Sequence, residues 1–419
     1  MKHQFAIALV IAFACSLTLA DSAHFKALYS FKGGADGQLP VALIADAAGN
    51  LYGIAQGSNE ASCGQSCGTI FELSPTGGGW KKKTLYRFSG LSDGGEPTGQ
   101  LVLDASGNLY GVAVAGGDST CAFAGCGVVF ELSPNGEEGG WTETVLYQFT
   151  NIANGSSPFA LVQDKSGNLV GMNLVSCSDQ VEFCGAIFQL SHTGSAWEES
   201  SVYIFPFALG EGTLLTIDNS GNIFGTSPAS SRTSASCPAS CGLIFELSPS
   251  NSGWTEKNIF FFTANQGGSG PTGAVYEDAG GHLFGTTANG GQGACYRGCG
   301  TVYELTKTSA GWSRTILHEF QPSQGGMPGA GLVADSAGNL YGTTYYGPNL
   351  TDCNGTGCGT VFKLTQNPNG KWSEKILHQF TGPSLALPSQ LVIDGSGNLY
   401  GVARRGNQGG FGMVFQIIP

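Results

Sequence analysis

Charge is what this sequence has least of. Only 11% of its 419 residues are Asp, Glu, Lys or Arg, where an ordinary soluble domain carries about a quarter. Scarce charge beside abundant glycine would describe a disordered linker. However, 41% of the residues are hydrophobic and 11% aromatic, enough apolar surface to build a core, so general disorder is excluded. Positive charge is scarcest: 18 Lys and Arg stand against 30 Asp and Glu, a net charge of −12. That balance argues against nucleic acid or an anionic membrane as a partner. After the first twenty residues, no run approaches the roughly 18 apolar residues of a membrane-crossing helix. Helical periodicity is absent, which leaves an all-β chain.

The first twenty residues themselves read as a secretory signal peptide. Lys2 and His3 open it, Phe5 to Leu19 is almost wholly apolar, and Thr18-Leu19-Ala20 resembles a small-residue cleavage site. Cys15 raises the alternative of a lipid anchor, but Ala12 stands where a lipobox has an aliphatic residue. The expected location is therefore secreted or at the cell surface.

Glycine is plentiful, with 67 residues, and its placement is periodic. Asp46-Ala-Ala-Gly-Asn-Leu-Tyr-Gly53 recurs from Asp104, Asp164, Asp218, Asp278, Asp335 and Asp394, at intervals of 58, 60, 54, 60, 57 and 59 residues. Each unit reads as four strands: Leu101-Val102-Leu103 before the Asp, Leu109 to Val112 after the turn, Gly127 to Leu132, and Trp141 to Phe149. Asp and Asn bond nearby amides in such turns and Gly supplies positive φ. The seven aspartates are accordingly expected to cap their own turns and not to form a cation-binding ring.

Seven four-stranded units predict a seven-bladed β-propeller in one domain, residues 21–419, with a linear solenoid as the alternative. The blades fall at about 32–88, 89–149, 150–205, 206–262, 263–320, 321–380, and 381–419 joined by 21–31. The last unit stops at a third strand, Met413 to Ile417, while Leu28-Tyr29-Ser30-Phe31 is an orphan fourth strand, so the two should close the ring. Trp80, Trp141, Trp197, Trp254, Trp312 and Trp372 keep the same place in their units, and Ala23 holds the seventh. Their fixed spacing predicts packing, not sugar stacking.

The Asp-x-x-Gly-Asn-Leu-Tyr-Gly segment, the strand Gly359 to Leu364 and the Leu-Tyr-x-Phe strand resemble the Gloeobacter/Verrucomicrobia (GloVer) tandem repeat over roughly residues 24–419. The resemblance implies export and a repeat fold, and supplies no catalytic residues. Blade four departs most, lacking the proline before its first strand. A looser likeness to streptogramin-lyase-type propellers implies that the run before each Asp is innermost.

Cysteine is paired blade by blade: Cys63/Cys67, Cys121/Cys126, Cys177/Cys184, Cys237/Cys241, Cys295/Cys299 and Cys353/Cys358, each in the loop between strands two and three. In an exported protein these read as six local disulfides. A structural zinc site needs four ligands, which two-cysteine sets spread around a ring cannot supply.

The clamped loops share a face with the links between blades, and both vary, so that face is the expected functional one. None of the histidines falls there: His24, His192, His282, His318 and His378 belong to strands four or to the opposite turns, and His3 to the leader. Asp36, Asp93, Glu96, Asp118, Asp179, Glu182 and Asp352 do fall on it, at different positions in different blades. Blade seven has no cysteine there and carries the adjacent Arg404 and Arg405, candidates for an anionic ligand or partner.

The expected function is an exported binding module without a cofactor, a monomer, whose ligand is a glycan, a small molecule or a protein. A lyase, lactonase or glycosidase acting at the channel mouth is the enzymatic alternative, and a structural surface protein the third. If the cysteines pair as read, the twelve from Cys63 to Cys358 will take up no alkylating label until a reductant is added. A mass increase on the untreated protein at any of these positions would refute the pairing.

Overall fold

The protein is described here by a computed structural model, covering residues 23–419 apart from 58–66, 122–124, 137–138, 154, 178–182, 195, 207–212, 229–240, 252, 264–266, 349–352, 354–356, 382–385 and 406–408. Its strands form seven antiparallel sheets arranged as the blades of a propeller. Blade two shows the plan, with Gly95–Leu103, Leu109–Ala115, Val128–Pro134 and Trp141–Gln148 paired in sequence order. Blade six departs only in its innermost strand, which is broken into Gly326–Pro328 and Val333–Ala334. Blade seven takes Val392–Ile393, Leu399–Ala403 and Met413–Ile418 from one end of the sequence and His24–Ser30 from the other. His24 faces Ile418 and Ser30 faces Met413, so the ring closes through antiparallel backbone pairing.

The Asp turns are built locally. Asp46 Oδ1 accepts from the backbone amides of Ala48 (2.9 Å) and Asn50 (2.8 Å), while Oδ2 accepts from the Asn50 side chain (2.8 Å) and Tyr52 hydroxyl (3.2 Å). The two amide bonds recur at Asp104, Asp164, Asp218, Asp278, Asp335 and Asp394. Where His282 replaces the Asn, its ring nitrogen lies 3.2 Å from Asp278 and 3.4 Å from Glu304.

The core lies between blades. The buried hydrophobic residues fall into seven large clusters, one at each junction between neighbouring blades. Each junction holds the same wedge. The Phe closing one blade meets the third-strand aromatic of the next: Phe31 with Phe71, Phe88 with Phe130, Phe149 with Phe188, Phe205 with Phe245, Phe262 with Tyr303, Phe320 with Phe362 and Phe380 with Phe415. Their centroids lie 4.9–5.3 Å apart, edge-on or tilted, a favoured arrangement for aromatic quadrupoles.

That third-strand aromatic needs room, and the repeated Gly of the second strand provides it. Gly111 is the cross-strand partner of Phe130, and a Cβ there would lie 2.5 Å from Phe130 Cζ. Gly53, Gly171, Gly225, Gly285, Gly342 and Gly401 stand in the same register with their aromatics. The tryptophans add a second layer: Trp80 packs on Tyr400, Trp141 on Tyr52 and Trp197 on Tyr110, each in the preceding blade.

The Gly opening the third strand has a separate duty. A Cβ at Gly127, Gly242 or Gly300 would lie 2.4–2.5 Å from the proline ring that starts the next blade (Pro158, Pro271 or Pro328). The same approach recurs for Gly68 with Pro97, Gly359 with Pro388 and Gly412 with Pro40. Blade four, whose first strand has no such proline, is the exception.

Both glycine positions are therefore steric requirements. Gly111→Ala, which forces a methyl group into Phe130, is expected to destabilise the fold by about 1–3 kcal/mol. Gly397→Ala, where nothing lies within 4 Å but φ is +82°, carries only the backbone strain of about 1–2 kcal/mol. Urea midpoints of the two variants against the parent check this, and an unchanged midpoint for Gly111→Ala would remove the wedge argument.

Candidate functional site

The innermost strands of all seven blades enclose a central cavity of about 1080 Å³. The run before each Asp is thus innermost. Each such strand begins at the face of the clamped loops and ends at its Asp turn on the opposite face, so the caps and the clamps lie at opposite ends of the channel. At the clamped end, two sets of equivalent positions converge on the cavity. One is the sixth position counted from the start of the second strand: Gln56, Val114, Leu174, Ala288, Tyr345 and, just past the end of its strand, Arg404. The other is the residue before the first-strand proline, which includes Glu96, Ser157, Met327 and Leu387.

The pre-proline residues have an unusual backbone. Leu39, Glu96, Ser157, Met327 and Leu387 have φ between 49° and 56°, a left-handed conformation that costs an L-residue about 1–2 kcal/mol. The junction holds it in place. The amides of Ser157 and Met327 donate to the carbonyls of Cys126 and Cys299 in the preceding blade, each at 2.8 Å. Leu39 donates to Phe411 at 2.9 Å. The second cysteine of a clamp thus also anchors the entry of the next inner strand.

Four clamps are visible in full, Cys121–Cys126, Cys177–Cys184, Cys295–Cys299 and Cys353–Cys358. Cys67 and Cys241 are also disulfide-bonded, while Cys63 and Cys237 lie outside the described residues. Each visible clamp spans 4 to 7 positions of sequence, a loop closure worth about 2 kcal/mol in the chain-entropy account.

The two adjacent arginines part company. Arg404 lines the cavity, and its Nη2 donates to Gln56 Oε1 at 2.5 Å, across the junction of blades seven and one. Arg405 is exposed and outside the cavity lining, its amide bonded to the Ala386 carbonyl at 3.0 Å. The loop carboxylates divide similarly. Asp36 accepts from the Tyr29 hydroxyl and Lys82 Nζ, both at 2.7 Å, and Asp93 accepts from the Tyr86 hydroxyl and the Ser89 amide, so both serve the junctions. Asp118 caps the Thr120 amide within its loop. Asp179, Glu182 and Asp352 lie outside the described residues. Glu96 alone among these acids lines the cavity.

Gln56 and the rest of its ring were not singled out in the sequence. The signal available there is contrast: Leu or Ile and then Gly recur at the start of every second strand, while the sixth residue differs from blade to blade.

Several displaced acid–base equilibria lie at the junctions. Burial, reinforced by the charge of Asp93, pushes the Glu143 carboxyl up to about 7, against the opposing effect of Tyr86. Glu199, Glu256 and Glu374 occupy the same position in their blades and are raised by burial. Lys82 holds that position in blade one, bonded to Asp36 and over the rings of Tyr29 and Phe31. Arg314 holds it in blade five, over Phe260 and Phe262. His318 and His378, on the fourth strands, are half-buried there and not free at the outer edge. Burial lowers both, His378 to about 4, with its ring stacked on Phe25 at 3.8 Å. Among the described residues, no group of three or more His, Cys, Asp or Glu is placed to hold a metal ion, and no helix is long and apolar enough to cross a membrane.

The Gloeobacter/Verrucomicrobia repeat matches residues 14–227 and 176–415. The chain belongs to that repeat family. No curated protein matches the sequence. Among solved structures, a fungal alcohol oxidase of the AA5 family, determined with copper, is similar at TM-score 0.57 and 12% identity, over 95% of this chain and 76% of that one. A candidate 6-phosphogluconolactonase from Bacteroides uniformis ATCC 8492 is similar at 0.48 and 11% identity, over 82% and 85%. A protein of unknown function from Dyadobacter fermentans DSM 18053 is similar at 0.46 and 13%, over 77% and 93%. At 12% identity the likeness to the fungal oxidase bears on the fold alone.

The junction carboxylates make stability depend on pH in a definite direction. Glu143 has its pKa raised in the folded state from 4.5 to about 7, so its contribution is fully present below 4.5 and is lost as pH rises through 7. Glu143→Gln should match the parent at pH 4 and exceed it in urea midpoint at pH 8.5. No gain at pH 8.5 would mean that the carboxylate is hydrated in the fold. His378 works on the acid side: its folded value is depressed from 6.5 to about 4, so its contribution is lost as pH falls through that interval.

Proposed function

We propose that the protein is an exported binding module whose ligand seats at the clamped-face mouth of the central channel, in contact with Arg404. The observation that carries this reading is an asymmetric lining on a sevenfold scaffold. Positions that build the blades repeat from unit to unit, whereas the equivalent positions at the mouth are Gln56, Val114, Leu174, Ala288, Tyr345 and Arg404. Packing alone gives these six equivalent positions no reason to differ; a ligand that meets them together does. Cavities of this size, largely apolar with a few convergent polar groups, are the usual form of a small-molecule site. The disulfides support an oxidising, extracellular setting, and a cross-link in a loop beside the mouth lowers the entropy lost on binding.

The test is a glycan array and a metabolite panel on the oxidised protein, followed by titration of any hit against variants. Arg404→Ala should weaken binding at least tenfold, while Arg405→Ala, outside the cavity lining, should leave it within about twofold, the size of effect expected from a solvated surface charge. Equal binding by the parent and Arg404→Ala would refute the channel-mouth site.

A further inference from the structure

One acid and one base share the channel mouth without meeting. Of the described residues lining the cavity, only Glu96 and Arg404 are charged. Neither takes part in an ion pair among the described residues. Arg404 is held by the neutral Gln56 side chain at 2.5 Å, so no described residue compensates its charge. The Glu96 carboxylate has no hydrogen-bond partner among the described residues. The two belong to blades seven and two, with Gln56 of blade one between them in the ring.

The backbone at Glu96 adds an independent observation. Its φ is 49°, a conformation that a side chain makes costly. Blade five places Gly270, φ 63°, at the same point before its proline, so the fold accepts a residue with no side chain there. Leu39, Ser157, Met327 and Leu387 share that backbone in their own blades, so the strain belongs to the position, and in blade two it presents a carboxylate that lines the cavity. Strain of this kind concentrates where side chains are held for recognition.

Each charge selects against the simplest ligand of the other. A plain anion drawn to Arg404 meets the field of Glu96, and a plain cation drawn to Glu96 meets that of Arg404. The rest of the mouth is lined largely by apolar side chains, among them Val114, Leu174, Met327, Tyr345 and Leu387. We infer that the mouth takes a small dipolar molecule, a carboxylate and an ammonium group on an apolar body, as in an amino acid or a short peptide. The inference rests on the channel-mouth reading above. The planar guanidinium of Arg404, oriented by Gln56, takes the carboxylate in a two-point contact, Glu96 takes the ammonium, and the apolar wall covers the body.

Calorimetric titration of the oxidised full chain with four probes tests this: leucine, trileucine, N-acetyl-trileucine and trileucine amide. Leucine or trileucine should bind, the two distinguishing a free amino acid from a peptide. If trileucine binds, acetylation and amidation should each weaken it at least tenfold. In Glu96→Gln the penalty for acetylation should disappear while that for amidation persists, and Arg404→Gln should show the reverse. If leucine alone binds, each of these variants should weaken it at least tenfold. Glu96→Gly, the residue type that blade five uses, should keep the parent's urea midpoint or exceed it and lose the same recognition, which separates recognition from folding.

Acetyl-trileucine binding as tightly as trileucine, but only with Arg404 present, would overturn the dipolar class and leave the channel site standing. Binding of a dipolar probe that neither variant alters would overturn the site as well. Failure of both leucine and trileucine to bind would overturn the class.

Discussion

Everything in this fold depends on one steric exchange: a second-strand glycine gives up its side chain so that the opposing third-strand aromatic can lean over it. Phe130 over Gly111 is one instance. The tilted aromatic then receives the Phe that closes the previous blade, and two flat sheets become two facets of a ring. Closure adds no new contact. Phe31 meets Phe71 at 5.2 Å much as Phe88 meets Phe130 at 5.0 Å, so the seventh junction is made by the same interaction as the other six. With the core between blades and both faces of each sheet covered, few positions remain where a charge would be hydrated. The low content of charged residues follows from the architecture.

What is local in space was legible in the sequence, and what crosses a junction was not. The Asp turns could be read because Asp46 bonds residues two and four positions ahead. The register of the last blade could be read because two incomplete units lay at opposite ends. The meaning of Gly127 could not, because the proline ring it accommodates, Pro158, belongs to the next unit. Asp36 and Asp93 looked like free loop charges, yet each lies seven residues after a tyrosine that it binds, Tyr29 and Tyr86, a spacing that was visible and unused. Arg404 and Arg405 read as a pair because they are adjacent. At the end of a strand, adjacency sends successive side chains to opposite sides, and only one lines the channel.

The junctions are alike in their wedges and individual in their ionisable groups. Lys82 with Asp36, Glu143 with Tyr86, Arg314 with Phe260, and Phe25 with His378 occupy equivalent places. Each pair suits its own partner and would fit poorly beside another blade's. A repeat protein whose blades are interchangeable in shape needs some such distinction if each is to find its proper neighbour. Half-buried acids with raised proton affinity are what it costs.

The clamps visible in this protein all begin and end within a single blade, and that has a mechanical meaning. None of them fastens one blade to another, so among the described residues the seam between His24–Ser30 and Met413–Ile418 is held by backbone pairing and packing. In its register His24 lies opposite Ile418, so a force pulling those two residues apart loads the ladder one rung at a time. The seam would peel like a zip and would not resist as a sheared sheet does. The covalent clamps would ride through such an opening intact, each still holding its own loop.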